Sequence, residues 1–574
     1  MKLSRENTQE EPQEIEAMGL CRMPLEGRWE KEGEEWKSVG GKEVESEMIE
    51  TQNREIIEAS CRKRFQAERK LYKVPMTKYH THKRLKEEVD LLSTEFSNIA
   101  VKYVIGKSVA ERDLICLKIT EEARKERPLL KPQVKYIANM HGDEVVGREL
   151  LLGLARSLCE QYGHDHTITH ILQTVEIHIL FSMNPDGYVL KTRNNANDKD
   201  LNRGFPDWRH LGMNQLQLSD SREPEVAAVM KWMSSNSFIL SLSFHDGWTM
   251  VIFPWDDSPA CTARNNAVCS EDNTFYALAL TYACNHRFMH TGHCPCHNEL
   301  LPIGNYRDEE FEVVEGGMQD YNYIFSNCME LTVEVSCDKK PPAKTLVTQW
   351  ENNYVSMLTM LQSVDGGVKG LVVDEEGTPL AGATVRIRGI DKEIVATERG
   401  EYWRLLVPGT YVLTAVSENK YGLLESDPTT LVIKNYLGDG ATVLNLVAKM
   451  TFPWSFLLSS YKTGDKDSIE LAGRKLAQQI FSRLNIVNEC IVKQEKHVSG
   501  SVTIFFIVFK IEVILNNQDV LPYFVERWSD KRIMRPASDL ELKKLWRRLK
   551  IFSEETLCAE NILNSGWSIT LAES

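Results

Sequence analysis

His141 and Glu144 stand three positions apart in His141-Gly-Asp-Glu144, directly after the apolar run Val134 to Ala138. An imidazole and a carboxylate at this spacing on a tight turn can share one zinc ion, both being suitable ligands at about 2.0 to 2.2 Å. Alone, the pair says little. A chain with 14 histidines is expected to contain about one HxxE by chance, most often in a solvated loop. His245 closes a second apolar run, Phe238 to Phe244, and can project into the same crevice. Three protein ligands with one position open is the arrangement of a catalytic zinc, whereas a structural site is normally closed by four. The combination points to a hydrolase, of a kind different from the zinc proteases that carry HExxH on a helix.

A fourth residue supplies what such a hydrolase needs. Glu334 lies in Leu331-Thr-Val-Glu-Val335, an apolar strand with one acid in it. A buried carboxylate is costly unless it is paired or functional, so Glu334 is a candidate general base for an attacking water. The outward face of an edge strand remains the plain alternative. Two other groups look metal-like and are read otherwise. His164, His166 and His170 suit a polar helix end, while His290, His293, Cys294, Cys296 and His297 suit a disulfide-containing loop. Cys294 and Cys296 lack a second spaced pair, which argues against a zinc finger.

The elements that must position these residues are legible as a pattern. Between about 75 and 365, apolar strands alternate with helical stretches, as in an α/β domain with helices on both faces of a parallel or mixed sheet. The strand candidates are Val134 to Ala138, Val175 to Phe181, Phe238 to Phe244 and Leu331 to Val335. Leu85, Val89, Leu92 and Phe96 recur at helical spacing and predict the first helix. In such folds reactive groups gather where strands end and loops begin. From Gly370 short strands are punctuated by Gly377-Thr-Pro379, Arg399-Gly400 and Pro408-Gly409, the spacing of an all-β sandwich, with Tyr411 to Val416 the clearest strand. Residues 1–74 read as a charged, disordered extension. Residues 451–574 form a tail with no clear pattern beyond a helical stretch at Leu540 to Leu549.

The chain's 574 residues suit two or three domains. Its formal charge of −14 disfavours nucleic acid as a partner and is compatible with cationic peptides. Thirteen cysteines are too few for a disulfide scaffold, but Cys261, Cys269, Cys284, Cys294, Cys296, Cys328 and Cys337 cluster, which predicts a few bridges in a secreted setting. The apolar run Val502 to Phe509 falls short of the roughly 20 residues that cross a bilayer, so no transmembrane span is expected. No apolar signal segment follows Met1, and no Asn-x-Ser/Thr site occurs.

Taken together, His141-Gly-Asp-Glu144-Val-Val-Gly-Arg-Glu-Leu150, Asn184-Pro-Asp-Gly187, Asp200-Leu-Asn-Arg-Gly-Phe-Pro206, Gly316-Gly-Met-Gln-Asp-Tyr-Asn-Tyr323 and Leu331-Thr-Val-Glu-Val335 form a recognisable set. It resembles the regulatory subfamily of zinc metallocarboxypeptidases, the group containing carboxypeptidases D, E, M and N, over about residues 75 to 450. The resemblance implies an eight-stranded mixed sheet flanked by helices in a catalytic domain over 75–366. It further implies a transthyretin-like β-sandwich over 367–450. The activity implied is zinc-dependent removal of C-terminal Lys or Arg from peptides and proteins, by a monomer holding one Zn2+ in the secretory pathway or outside the cell.

Carried over by position, the resemblance makes His141, Glu144 and His245 the zinc ligands and Glu334 the general base. Arg193, ten positions before Arg203, supports the scissile carbonyl as it becomes an oxyanion, while Asn202 and Arg203 grip the terminal carboxylate. A planar guanidinium suits a carboxylate because it offers two parallel hydrogen bonds. Asp256, eleven residues after His245, and Gln319 line the pocket for the last side chain, where an anionic group favours Lys or Arg.

Some positions depart from the pattern. Glu312 stands where the family usually has a tyrosine, 22 positions before the base, and would repel the terminal carboxylate. Tyr306 is the nearest substitute. The loop Asn305 to Glu315 lacks the usual Gly-rich, Trp-Tyr character, Asp246 replaces a usual Gly, and Gly204 a usual Asn. The rival expectation is therefore a peptide-binding homologue with weak or no turnover.

Overall fold

The computed structural model describes residues 76–210, 215–256, 271–296, 314–418, 422–434 and 440–453, a few isolated positions beside them, and the backbone of five outlying strands. The chain divides into two compact units. One comprises Val44–Ser417 and Leu424–Lys449, and the other Met1–Glu43, Glu418–Leu423 and Met450–Ser574. In the second unit, Arg28–Glu32 pairs antiparallel with Glu35–Val39, and Cys490–Ser499, Val502–Ile511 and Gly566–Ala572 form a three-stranded sheet. Most of the expected extension and tail, including 540–549, lies outside the described residues.

The first unit holds a seven-stranded mixed sheet among the described residues, where the resemblance implies eight. Its strands are β1 (Ala100–Lys107), β2 (Asp113–Ile119), β3 (Gln133–Ala138), β4 (Glu176–Leu180), β5 (Phe238–His245), β6 (Thr249–Ile252) and β7 (Met329–Val335). Their spatial order is β1-β2-β4-β3-β5-β7-β6. The four inner strands β4, β3, β5 and β7 run parallel, and antiparallel strands complete both sides. Strands β3 and β5 are buried along their whole length, as expected of central parallel strands covered on both faces. Four strands therefore appear where the apolar runs predicted them, while β1, which mixes exposed and half-buried positions, shows no clean apolar pattern.

Two apolar cores, one on each face, clamp this sheet. Val134, Tyr136 and Ala138 enter one with helices α1 (His82–Glu95), α2 (Val146–Gln161), α3 (His166–Thr174), α6 (Asp272–Asn285) and α8 (Leu346–Ser363). Ile137 and Leu180 enter the other with α5 (Pro224–Ser234) and α7 (Met318–Phe325). The short α4 (Pro185–Leu190) follows β4 and is capped by Asn184, whose side chain accepts the Gly187 N–H at 2.8 Å. Helix α1 starts because Thr81 accepts the Arg84 N–H, and it buries Leu85, Val89 and Leu92 at i, i+4 and i+7.

Between the central strands and α7 lies a buried polar knot. Lys135 of β3 and Glu330 of β7, both with side chains 0% exposed, pair at 2.9 Å. Ser241 of β5 and Asn322 of α7 donate to the same Glu330 oxygen at 2.6 and 2.5 Å. A buried ion pair is tolerable only when such extra hydrogen bonds offset its desolvation.

The β-domain begins at Val368–Val373 and includes Thr384–Ile387, Ile390–Val395, Glu401–Arg404 and Gly409–Glu418. Its own core holds Val372, Val385, Ile394, Tyr402, Leu406 and Leu413. Because side chains alternate along an extended segment, Trp403, Leu405 and Val407 face the other way, into the core with α2 and α8. Glu401, fully buried, accepts from the Leu130 N–H at 2.6 Å and from Arg127. Arg404 pairs with Glu271, which also accepts from Tyr323 of α7 at 2.8 Å.

Cys296 and Cys337 form a disulfide, and Cys284 is disulfide-bonded as well. Cys116, Cys159, Cys294 and Cys328 are free and buried. Among the described residues no helix is long and apolar enough to cross a membrane.

Candidate active site

Three of the four parallel strands deliver their chemistry at one edge. The turn after β3 carries His141 and Glu144, β5 ends at His245, and Glu334 lies one residue before the end of β7. The turn is held by Asn139, whose amide donates to the carbonyls of His141, Gly142 and Glu144 at 2.9, 3.2 and 2.9 Å. Gly142 permits the close approach of α4: a Cβ at this position would fall 2.1 Å from the Gly187 carbonyl carbon.

His141, Glu144 and His245 are buried, and one ligand atom from each lies within 4.8 Å of the others. Glu144 Oε1 is 3.0 Å from His141 Nδ1, and Oε2 is 3.0 Å from His245 Nδ1. Two imidazoles and a carboxylate so disposed suit zinc by donor type and number. The remaining ring nitrogens are also engaged. His141 Nε2 lies 3.1 Å from Asp200 Oδ1, and His245 Nε2 lies 3.1 Å from Ser243 Oγ. Such partners orient a ligating ring and fix which nitrogen faces the metal.

Cations gather around these acids. Arg193 donates to Glu144 Oε1 at 3.3 Å and to Asp200 Oδ2 at 3.0 Å. Lys339 lies 3.2 Å from Glu144 Oε1 and 3.1 Å from Asp143. Burial opposes ionisation of Glu144, yet His141 and His245 outweigh it and hold the carboxyl well below its usual range. Asp200 behaves alike: burial is overcome by His141 and Arg193, and its carboxyl is held low.

Glu334 has the opposite environment. Burial, and then the Glu144 carboxylate, push it up to about 7 against the pull of His245. Its Oε2 is buried without a hydrogen-bond partner. A carboxylate poised near neutrality is what a general base requires. Asp246 is raised as well, by burial and by Glu144 and Glu334, while its Oδ2 accepts the Val146 N–H at 2.9 Å.

The remaining expected residues surround this centre. Asn202 and Arg203 lie in a single 3-10 turn closed by Asp200, and Arg203 is exposed. Asn202 Oδ1 accepts the Met318 N–H at 3.0 Å, joining that turn to the start of α7. Gly316, at φ +71°, fits there because a Cβ would lie 2.7 Å from the Arg203 carbonyl oxygen. Gln319 is buried, its Oε1 accepting the Thr332 N–H at 3.1 Å. Asp256 follows β6, and its backbone N–H donates to Asp320. Glu312 and Tyr306, on which the departure from the family pattern turns, lie outside the described residues.

Among the described residues, His141, Glu144 and His245 are the only group of three His, Cys or acidic side chains close enough to share a metal. His164, His166 and His170 are exposed around the start of α3, where Asp165 is the cap. Cys296 is used by its disulfide. Sequence reasoning missed Asp200, Ser243 and Lys339. The signal for Asp200 was available, since a histidine that ligates a metal wants an acceptor for its second nitrogen.

Comparison with known proteins gives an independent view. Residues 85–356 match the family described as zinc carboxypeptidase, and residues 367–434 match the carboxypeptidase regulatory-like domain. The chain is 38% identical over 376 residues to carboxypeptidase D of Drosophila melanogaster, covering 62% of this chain and 26% of that one. It is 39% identical over 353 residues to the Homo sapiens carboxypeptidase D, covering 59% and 25%. It is 37% identical over 374 residues to the carboxypeptidase N catalytic chain of Mus musculus, covering 59% and 81%. The chain thus spans about a quarter of the length of the carboxypeptidase D relatives and most of that of carboxypeptidase N.

Proposed function

Since the chain belongs to the zinc carboxypeptidase family, we propose that it is a zinc-dependent exopeptidase that removes C-terminal Lys or Arg from peptides and proteins. The observation that carries this reading is the convergence of His141, Glu144 and His245 within 4.8 Å, beside a carboxyl raised to about 7.

In this reading His141, Glu144 and His245 hold one zinc ion. Zinc there supplies a Lewis acid that polarises the peptide carbonyl and eases loss of a water proton. Glu334 takes the proton from the attacking water and later returns it to the leaving amine. Arg193, half-exposed beside Glu144, turns to the carbonyl oxygen as charge develops on it, which stabilises the transition state more than the ground state. Asn202 and Arg203 bind the terminal carboxylate, so that only a chain end fits. Asp256 and Gln319 form the pocket for the last side chain, where Asp256 favours a cation.

The Cys296–Cys337 disulfide supports an oxidising compartment, so we read the setting as extracellular or secretory. The β-domain is read as transthyretin-like. The deciding experiment measures bound zinc together with release of arginine from a C-terminal Arg peptide, with and without a chelator. Stoichiometric zinc and chelator-sensitive release are expected. Bound zinc without release would instead favour a peptide-binding homologue.

A further inference from the structure

The first turn of α7 sends two neighbouring side chains to different duties. Gln319 reaches β7 through the Thr332 N–H. Asp320 is buried, 2% exposed, and turns both carboxylate oxygens onto one backbone N–H, that of Asp256, at 3.1 and 3.0 Å. The carbonyl of Asp256 accepts the Val314 N–H at 3.1 Å. The peptide groups on both sides of the Asp256 side chain are therefore held, one of them by a charge-assisted bond, stronger than a neutral one. Burying one acid beside another is unfavourable unless hydrogen bonds and the positive end of a helix offset it, and Asp320, in the first turn of α7, has both.

Helix α7 itself cannot easily shift. Asn322, one turn on, is tied into the Lys135–Glu330 knot. At the far end, Lys392 of the β-domain donates to the Ile324 carbonyl at 2.7 Å, and Asn327 exchanges two hydrogen bonds with the Val395 backbone. A rigid helix anchored at three places thus carries the carboxylate that fixes Asp256.

We propose that Asp320 is a positioning residue for side-chain selection: by gripping the Asp256 backbone it sets where the Asp256 carboxylate meets the substrate's last side chain. This rests on the reading of Asp256 given above. A hydrogen bond at the backbone fixes the position of a side chain that must pair with one charged group at a set depth, and loss of that grip weakens pairing with a cation more than contact with an apolar group.

The test compares the zinc-loaded full chain with Asp320→Ala, Asp320→Asn and Asp256→Ala on peptides ending in Arg and in Leu. Asp320→Ala is expected to reduce the Arg-over-Leu ratio of kcat/KM by about tenfold or more, with most of the loss in KM for the Arg peptide. Asp320→Asn keeps an acceptor for the Asp256 N–H and should restore most of that ratio. An unchanged ratio in Asp320→Ala overturns the proposal, as does an Asn variant no better than Ala. Should Asp320→Ala fail to fold, Asp320→Ser, too short to hold both contacts, takes its place with the same expected loss. If the wild-type chain releases nothing, the proposed activity falls, and calorimetric binding of the two peptides to wild type, Asp256→Ala and Asp320→Ala still decides the role of Asp320.

Discussion

Glu334 and His245 are register partners on neighbouring parallel strands. Partners in adjacent strands share a face of the sheet, so the strand pairing itself sets a proposed base beside a proposed ligand. A slip of one residue would turn Glu334 to the other face. Glu334→Gln preserves size and should keep bound zinc near one equivalent while turnover falls by about 10² to 10⁴-fold. Metal analysis and steady-state rates on the same sample check both halves, and near-normal turnover would remove Glu334 from the mechanism.

Asp200 orients His141 through Nε2. Asp200→Asn should weaken zinc binding by about 10 to 100-fold. Competition against a chromophoric chelator measures it, and an unchanged affinity would show that His141 is oriented by its own turn alone.

Gly142 has no room for a side chain against Gly187. Gly142→Ala must therefore displace the turn bearing two proposed ligands, and zinc content should drop while the far-UV spectrum stays close to that of wild type. Full metal loading in this variant would mean that the turn yields without cost.

The Lys135–Glu330 pair is fully buried. Lys135→Met leaves an uncompensated acid and should destabilise the chain by about 3 to 5 kcal/mol, whereas Lys135→Met with Glu330→Leu should recover most of the loss. Denaturant unfolding of the two variants distinguishes the cost of an orphaned charge from that of lost packing.

Burial lowers Lys392 from 10.5 to about 8. Between those values the unfolded chain binds more protons than the folded one, so this residue makes stability rise as pH increases from about 8 towards 10.5. Lys392→Met should flatten that rise in melting temperature, and an identical slope in the variant would refute the assignment.

The sequence disclosed what periodicity and chemistry can disclose. Apolar runs marked β3, β4, β5 and β7 because inner parallel strands are buried on both faces. Strands β1, β2 and β6 were not among the candidates: β1 mixes exposed and half-buried positions, and β6 is only four residues long. The three proposed ligands and Glu334 could be singled out by type and strand context. Asp200, Lys339 and Asp320 could not, because their parts depend on which atoms meet across 59, 195 and 64 positions, and those meetings exist only once the strands, the 3-10 turn and α7 are placed together. The histidines around His166 were expected to mark a polar helix end, and they lie exposed at the start of a helix capped by Asp165.

The segment Glu401 to Val407 feeds two interiors at once. Trp403, Leu405 and Val407 complete the packing around the sheet, and enclosing three such side chains is worth on the order of 5 to 9 kcal/mol, comparable to the whole margin of about 5 to 15 kcal/mol that keeps a domain folded. A gene cut between the two family matches, near 366, would therefore yield two fragments, each exposing a greasy wound. The halves can be told apart by eye, but heredity has to pass them on together.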